Sequence, residues 1–367
     1  AGVVRAVGAG QATVVATSGS QSAPTLVTVS VPEATPVNLW ASMTSGSYVD
    51  LNGVWGRSAT DVIAVGNSGT ILHYDGTRWT AMTSGTGNSL YRVWGTSATD
   101  VFAVGDGGSI VHYDGTSWTV MASGTSTSLH GVWGSSPTNV FAVGGGGTIV
   151  RYDGSNWTAM PSGTTQNLAS VWGTSRSDVF AVDNTGTIVH YDGTRWSVMA
   201  SGSLPYLYGV WGASSTNVYA AGHNGTLLRY DGSSWTAVPR WPSGGELLSV
   251  WGTSSSEIFA GLHWPSLIRY DGTAWEQVLG GLSGSPNALW GTSGGSVFLV
   301  MGGGSVMRGV RGATLSVAAG SWAVTPQGNQ LQATATVRDA VSAAVSGVPL
   351  TWATSDVAVA TVAVLLK

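Results

Sequence analysis

Residues 89–124 read SLYRVWGTSATDVFAVGDGGSIVHYDGTSWTVMASG, and this phrase recurs along most of the chain. Each copy contains the segment Val/Leu-Trp-Gly, and successive copies are 39, 39, 39, 39, 40 and 39 residues apart. The tryptophans of this segment are Trp55, Trp94, Trp133, Trp172, Trp211, Trp251 and Trp290. Repetition at a fixed period predicts a fold that is built from seven equal supersecondary units.

Each copy predicts four β-strands. The first ends in VWG, the second is DVFAVG at Asp100–Gly105, the third resembles GTIVHYD at Gly186–Asp192, and the fourth is WTVM at Trp118–Met121. β-Branched and aromatic residues fill these segments, and Gly, Asp, Ser and Asn separate them, as in strands and turns. Four short strands in about 40 residues are typical of a β-propeller blade, so the sequence predicts an all-β, seven-bladed propeller.

The two ends of the repeat region complement each other. The seventh copy lacks the tryptophan that should open its fourth strand, and Trp40–Gly46 (WASMTSG) matches Trp79–Gly85 (WTAMTSG) one period later. The N-terminal strand is therefore predicted to complete the last blade and close the ring, which removes a free sheet edge. The predicted propeller spans residues 36–312.

The repeats resemble those of bacterial β-propellers with VWG, DVFAVG and HYDG..W segments, loose relatives of the Kelch and Asp-box propellers. The hairpin at Asp114–Trp118 (DGTSW) approximates an Asp-box. The resemblance covers about three quarters of the chain. It implies the fold and leaves the function open, because propellers host many functions.

The flanking segments resemble two halves of one bacterial Ig-like domain of the group 2 type. Residues 313–367 resemble its first half through QLQATATVRD at Gln330–Asp339, GVPLTW at Gly347–Trp352 and SDVAVATV at Ser355–Val362. Residues 1–35 resemble its second half through GVVRAVGAGQATVVATSGSQSA and TLVTVSVPE. The resemblance implies a β-sandwich that is split between the N- and C-terminal ends.

Half a sandwich exposes an apolar face and unpaired strand edges, so the two halves are expected to meet. The linker 32–38 reaches at most ~25 Å, whereas the ends of such a sandwich are about 25–35 Å apart. Closure between chains does not require a fully stretched linker. It would give a head-to-tail homopolymer by strand complementation. Closure within one chain, or excision from a longer covalent array, stays open as an alternative.

Composition limits the function classes. The chain has 367 residues, a net charge of −4, 9% charged residues and no cysteine. Sparse charge predicts no nucleic-acid partner, and the lack of cysteine removes disulfides and thiolate metal sites. No apolar run is long enough for a membrane span. Together with a start at Ala1, which indicates a processed or excised N-terminus, the Ser/Thr/Gly-rich composition predicts an extracellular or cell-surface bacterial protein.

Most acidic residues have a structural interpretation. One aspartate of each YDG turn is expected to cap that turn by accepting backbone N–H groups; these are Asp75, Asp114, Asp153, Asp192, Asp231 and Asp271. Asp61, Asp100 and Asp178 open second strands where other copies have Asn or Glu, which indicates a hydrogen-bond acceptor. No carboxylate pair for glycoside hydrolysis is apparent. The sequence predicts no catalytic residue, no metal site, no cofactor and hence no enzyme.

Aromatic residues break the repeat on one propeller face, in the loops of blades five and six. The candidate ligand-binding residues are Tyr206, Tyr208, His223, Trp241, His263 and Trp264. Exposed aromatics with small polar neighbours suit a glycan or a protein ligand. They could instead pack the longer loops or meet a neighbouring subunit. The predicted function is a non-enzymatic structural subunit of a bacterial surface filament or matrix, and the alternative is an adhesin or lectin-like binding module.

Overall fold

The computed structural model describes residues 4–6, 11–15, 37–199, 206–318, 330–338, 352–354 and 361–365, with side-chain contacts for residues 40–199 and 206–310. Strands and short 3-10 turns are the regular elements of these ranges. The chain divides into two compact units. The propeller unit is Ser42–Thr292 with Phe298–Met307, and the terminal unit is Ala1–Ala41, Ser293–Val297 and Arg308–Lys367.

Three strands precede the first complete blade: β1 Val4–Ala6, β2 Gln11–Val15 and β3 Val37–Met43. Six four-stranded sheets follow, and each has its strands in chain order. Blade one is β4 Leu51–Ser58, β5 Asp61–Gly66, β6 Ile71–Tyr74 and β7 Trp79–Met82; blade two is β8 Leu90–Ser97, β9 Asp100–Gly105, β10 Ile110–Tyr113 and β11 Trp118–Met121. Blade three is β12 Leu129–Ser136, β13 Asn139–Gly144, β14 Ile149–Tyr152 and β15 Trp157–Met160.

Blades four to six continue the same plan. Blade four is β16 Leu168–Ser175, β17 Asp178–Asp183, β18 Ile188–Tyr191 and β19 Trp196–Met199. Blade five is β20 Leu207–Ser214, β21 Asn217–Gly222, β22 Leu227–Tyr230 and β23 Trp235–Ala237. Blade six is β24 Leu247–Ser254, β25 Glu257–Leu262, β26 Ser266–Tyr270 and β27 Trp275–Leu279.

The seventh sheet begins with β28 Pro286–Gly291, β29 Ser296–Met301 and β30 Val306–Ala318, and β3 pairs with β30. This is the pairing that the match of Trp40 with Trp79 predicts. β30 runs on to Ala318, so the predicted domain boundary after residue 312 falls inside a strand. The 3-10 turns between second and third strands are Asn67–Gly69, Asp106–Gly108, Gly145–Gly147, His223–Gly225 and Gly302–Gly304.

The VWG segment forms the joint between neighbouring blades. A Cβ atom on Gly134 would lie 2.6 Å from Cη2 of Trp94, the VWG tryptophan of the preceding blade. The same packing closes the ring, since a Cβ on Gly56 would lie 2.8 Å from Cη2 of Trp290. The Asn287 side chain also donates a hydrogen bond of 2.9 Å to the Leu51 carbonyl. The seven innermost strands therefore form a closed ring within the propeller unit.

The hydrophobic core lies between adjacent blades. One cluster joins Phe102 of β9 to Val140 of β13 and Trp157 of β15, and all three are buried. The Phe102 and Trp157 rings meet edge to face with centroids 6.0 Å apart, a geometry that aromatic pairs favour. Because each sheet buries both faces against its neighbours, its second strand is a continuous apolar run.

The YDG turns have the structure that the sequence predicts. Asp114 Oδ1 accepts the backbone N–H groups of Thr116 at 2.8 Å and Ser117 at 2.9 Å. Gly115 has φ +95, a conformation that glycine adopts without strain. The other five YDG aspartates also accept two backbone N–H groups each. The capping interpretation of these six carboxylates is confirmed.

In the terminal unit, strands from the two ends of the same chain pair with each other. β31 Gln330–Arg338, β32 Trp352–Thr354 and β33 Thr361–Leu365 are its C-terminal strands. β2 pairs antiparallel with both β31 and β33, β1 pairs antiparallel with β32, and β30 pairs antiparallel with β31. The predicted strand TLVTVSVPE and the linker before Val37 lie outside the described residues. The Ig-like character of these strands stays a prediction.

Candidate binding site on the upper face

The strand register defines two faces of the propeller. In blade one, Leu51 at the start of β4 pairs with Gly66 at the end of β5, and Ile71 at the start of β6 pairs with Met82 at the end of β7. The loop that enters each blade and the loop between its second and third strands therefore share one face. We call it the upper face; the YDG turns lie on the lower face.

One strand position gathers a side chain from every blade at the axis of the ring. It is the residue that follows the first residue of each innermost strand. We call this set the channel-mouth ring: Asn52, Tyr91, His130, Ala169, Tyr208, Leu248 and Asn287. All seven line one cavity of about 360 Å³, together with Arg92, Asn167 and Asn184. A volume of this size lies within the range of small-ligand pockets.

A hydrogen-bonded group lies on the blade-two side of the cavity. The Tyr91 hydroxyl donates to Asp106 Oδ1 at 2.7 Å, and Ser128 Oγ donates to the same oxygen at 3.0 Å. Burial, followed by the hydrogen bond to Asp106, raises the pKa of Tyr91 to about 12. The Tyr91 and His130 rings meet edge to face at 5.7 Å. This side of the cavity is therefore held in one arrangement.

A second group lies on the blade-five side, and we call it the blade-five cluster: Tyr206, Tyr208, His223 and Glu246. His223 Nδ1 lies 3.2 Å from Glu246 Oε1, and the Tyr206 ring meets His223 edge to face at 6.1 Å. Burial, followed by the charge of Glu246, raises the pKa of Tyr208. Tyr206 is 54% exposed. Tyr208 belongs to both the cluster and the channel-mouth ring, so cluster and cavity are continuous.

The remaining predicted residues differ in exposure. Trp264 is 71% exposed. Its ring lies next to Gly245, where a Cβ atom would be 3.3 Å from Trp264 Cδ1. His263 is also exposed, and its backbone N–H donates to the Glu246 carbonyl at 2.9 Å. Trp241 was expected to face solvent, yet it is partly buried against the hydrophobic cluster of blades five and six. Part of its aromatic surface therefore packs on the core of these blades.

Sequence reasoning missed most of the cavity, although the sequence held a signal for it. The two residues after each conserved strand-opening position differ from blade to blade, while their neighbours repeat. These pairs are Asn52-Gly53, Tyr91-Arg92, His130-Gly131, Ala169-Ser170, Tyr208-Gly209, Leu248-Ser249 and Asn287-Ala288. Aligning the copies against one another would have exposed them, because variation inside a near-identical repeat marks positions that the fold does not fix.

One position of the third strand holds His in some blades and Arg in others. Its side chain has a structural role, because it pairs with the first residue of the second strand. His112 Nε2 lies 2.7 Å from Asp100 Oδ1, and in blade three Arg151 Nε donates to Asn139 Oδ1 at 2.7 Å. His73 with Asp61 and His190 with Asp178 form the same pair. The predicted acceptor role of the strand-opening residue is confirmed. Within the described ranges, no three His, Asp or Glu side chains are grouped as a metal site requires.

No protein-family model matches the chain, and no curated protein sequence matches it either. Solved structures do. YCF48 from Cyanidioschyzon merolae has 14% identity and a TM-score of 0.62, with 74% of this chain and 98% of that chain covered. A structure described as YCF48 bound to D1 peptide has 15% identity and a TM-score of 0.63, with coverages of 76% and 99%.

The WD40 repeats of RRP9 align with 10% identity and a TM-score of 0.64, over 74% of this chain and 97% of that chain. No helix in the part of the chain that the structure describes is long and apolar enough to cross a membrane. At these identities the likenesses show the fold alone. This chain contains a seven-bladed β-propeller.

Proposed function

We propose that the chain is a non-enzymatic binding protein that holds a peptide segment of a partner protein on the upper face of its propeller. The peptide lies over the cavity at the channel mouth, and the blade-five cluster with Trp264 forms the rim of the site. The observation that carries this proposal is the placement of the variable repeat positions, because all seven members of the channel-mouth ring line one cavity.

The placement of the variable positions is informative because the rest of the repeat is nearly the same in every blade. Copies that serve only the fold experience the same environment in every blade, so the same residue suits all of them. At the channel-mouth ring the blades instead present an amide, a phenol, an imidazole, a methyl group and an isobutyl group. A set of different side chains around one cavity is what recognition of an asymmetric ligand requires.

The chemistry of this face suits a protein ligand. Tyr, Trp and Arg are the residue types that dominate binding energy at protein interfaces, and this face offers Tyr206, Tyr208, Trp264 and Arg92. Partly buried Asn side chains supply donors and acceptors for a peptide backbone. A similar propeller is described as bound to a peptide. That description concerns the other protein and supports the proposal through the shared fold.

The test is a peptide array probed with the purified chain, followed by affinity measurement on the best hits. We expect Tyr208→Ala combined with Trp264→Ala to weaken binding by about 10-fold or more, as loss of interface hot spots does. The matched control is Tyr48→Ala, because Tyr48 is 94% exposed in the loop that enters blade one and does not line the cavity. A wild-type chain that binds no peptide would refute the proposal, and so would a double variant that binds normally.

A second candidate function is the filament subunit, and the complementarity of the terminal strands favours it. β2 fits between β31 and β33. In the structure these pairs form within one chain, and a filament needs the same pairs between two copies. Electron microscopy over a dilution series tests this. Beaded fibres that disappear on deletion of residues 1–32 would support the filament, whereas compact single particles at every concentration would refute it.

A further inference from the structure

Arg92 stands at a position where the other blades have small residues. The equivalent residues are Gly53, Gly131, Ser170, Gly209, Ser249 and Ala288. The neighbouring innermost strand approaches closely here, since a Cβ on Gly53 would lie 3.0 Å from Arg92 Cα. Blade two therefore introduces one cation into the wall of the cavity, at a position where the repeat does not need one.

Among the described residues, the guanidinium of Arg92 has hydrogen-bond acceptors but no paired carboxylate. Its Nη1 donates to the Asn52 carbonyl at 2.6 Å and to the Tyr91 carbonyl at 2.8 Å. Within residues 40–199 and 206–310, Arg92 belongs to no ion pair, whereas Arg57, Arg78 and Arg269 each pair with a carboxylate. Nε and Nη2 of Arg92 have no hydrogen-bond partner in those ranges. Three of the five N–H bonds of the planar guanidinium, one on Nε and two on Nη2, are thus left for another acceptor.

Arg92 is partly buried in the wall of the cavity. Removal from water lowers its pKa to about 10, so the group still carries its charge at pH 7. A partly buried guanidinium forms its strongest hydrogen bonds with an anionic acceptor such as a carboxylate. The acidic side chains of the two hydrogen-bonded groups beside the cavity are already engaged, Asp106 by Tyr91 and Ser128, and Glu246 by His223. The other side chains that line the cavity are neutral amides, phenols, an imidazole and aliphatic groups.

We infer that the cavity at the channel mouth is a carboxylate subsite, in which Arg92 forms an ion pair with one carboxylate of the bound peptide. The inference rests on the proposed function and adds the chemical class that the cavity selects. One guanidinium matches one singly charged planar carboxylate, often through two parallel hydrogen bonds. A phosphate group carries nearly two charges at pH 7 and would be left half compensated.

The carboxylate could be the C-terminus of the partner or an Asp or Glu side chain, and three blocked probes separate these sources. N-acetyl-diglycine presents a terminal carboxylate, N-acetyl-glutamate amide presents a side-chain carboxylate, and N-acetyl-diglycine amide presents neither. The readout is the Nε–H resonance of Arg92 in nitrogen-15 NMR, titrated with each probe and with inorganic phosphate. We expect a saturable shift with at least one carboxylate probe and none with the amide.

Two variants of the full chain complete the test. Arg92→Gly introduces the residue that three other blades have, and Arg92→Met keeps the length of the side chain without its charge. Both should weaken binding of an acidic array peptide by about 10- to 100-fold, the loss of a charged hydrogen bond. Arg176→Gly is the matched control, because Arg176 is an exposed arginine in the lower-face turn between β16 and β17.

The outcomes separate the inference from the proposed function. Peptides that bind the wild type and both Arg92 variants equally would overturn the carboxylate subsite and leave the binding function intact. A shift that the amide probe or phosphate reproduces at the same concentration would also overturn it. A wild-type chain that binds no array peptide refutes the proposed function, and the probe titration then still decides whether Arg92 binds a carboxylate.

Discussion

Gly95 of β8 lies directly beneath the indole of Trp55 in β4, and a Cβ atom at residue 95 would be 2.8 Å from Cη2 of that ring. The same Gly-on-Trp packing joins Gly134 to Trp94, Gly173 to Trp133, Gly212 to Trp172, Gly252 to Trp211 and Gly56 to Trp290. The VWG segments of blades one to five thus each serve two joints, since the tryptophan covers the next blade and the glycine admits the tryptophan of the previous one.

The first prediction concerns this joint. Gly95→Ala places a methyl group inside the van der Waals contact of the Trp55 ring, so we expect the free energy of unfolding to fall by about 1–3 kcal/mol, as for other overpacked sites. Gly87→Ala is the control, because its Cβ would meet nothing within 4 Å and should change stability by less than about 0.5 kcal/mol. Equal denaturation midpoints for the two variants would contradict the interpretation of the joint.

The second prediction concerns acid stability. Hydrogen bonds from Thr77 and Arg78 lower the pKa of Asp75 to about 2, and backbone and side-chain hydrogen bonds lower that of Asp271 to about 2. An unfolded aspartate has a pKa of about 3.9. The stability that these groups contribute is therefore present above about pH 4 and is lost as the pH falls towards 2.

Denaturation midpoints between pH 5 and pH 2.5 test this prediction. Replacing the six YDG aspartates by asparagine keeps an oxygen acceptor in each turn but removes the titration. The variant should lose less stability over this range than the wild type does. If wild type and variant decline in parallel, the turn carboxylates are not the source of the acid sensitivity.

The third prediction concerns ring closure. β3 pairs with β30, and a Cβ on Gly309 would lie 2.7 Å from the Trp40 indole. Deleting residues 1–46 exposes an unpaired strand edge, so we expect a melting temperature that is lower by several degrees and self-association at high concentration. Deletion of residues 1–36 retains β3 and is the control. A propeller that melts at the same temperature in both truncations would show that β3 contributes nothing to closure.

The fourth prediction concerns Tyr91. Its raised pKa, about 12, means that the neutral phenol keeps its hydrogen bond to Asp106 under alkaline conditions. Tyr91→Phe should cost about 1 kcal/mol of stability, the usual net value of one hydrogen bond. Tyr48→Phe should cost nothing measurable, since Tyr48 is 94% exposed. The ultraviolet difference spectrum between wild type and Tyr91→Phe should show no phenolate signal at pH 10; a signal there would contradict the assigned environment.

Much of the fold could be predicted because its causes are local and repeated. The number of repeat copies predicted the number of blades, and Trp40 indicated that the fourth strand of the last blade comes from the N-terminal end. The YDG aspartates were identified as turn caps from their position alone. Tyr206, Tyr208 and His223 were found as candidate residues because they interrupt the repeat in loops, where the fold demands little. Whether Trp241 faces solvent or packs its own loop stayed open in the sequence, because a sequence does not show whether a loop folds back over its own core; in the structure it is partly buried.

Arg92 shows where prediction from sequence ended. Its strand was interpreted as structural, and the side chain was passed over with the rest of the repeat. By itself, the sequence determined the blades, their number and their turns, because each depends on residues that are close along the chain. Only the tertiary structure decided the cavity, because closing the ring brings seven side chains that are about 39 residues apart onto one axis and places Arg92 beside them in the cavity wall.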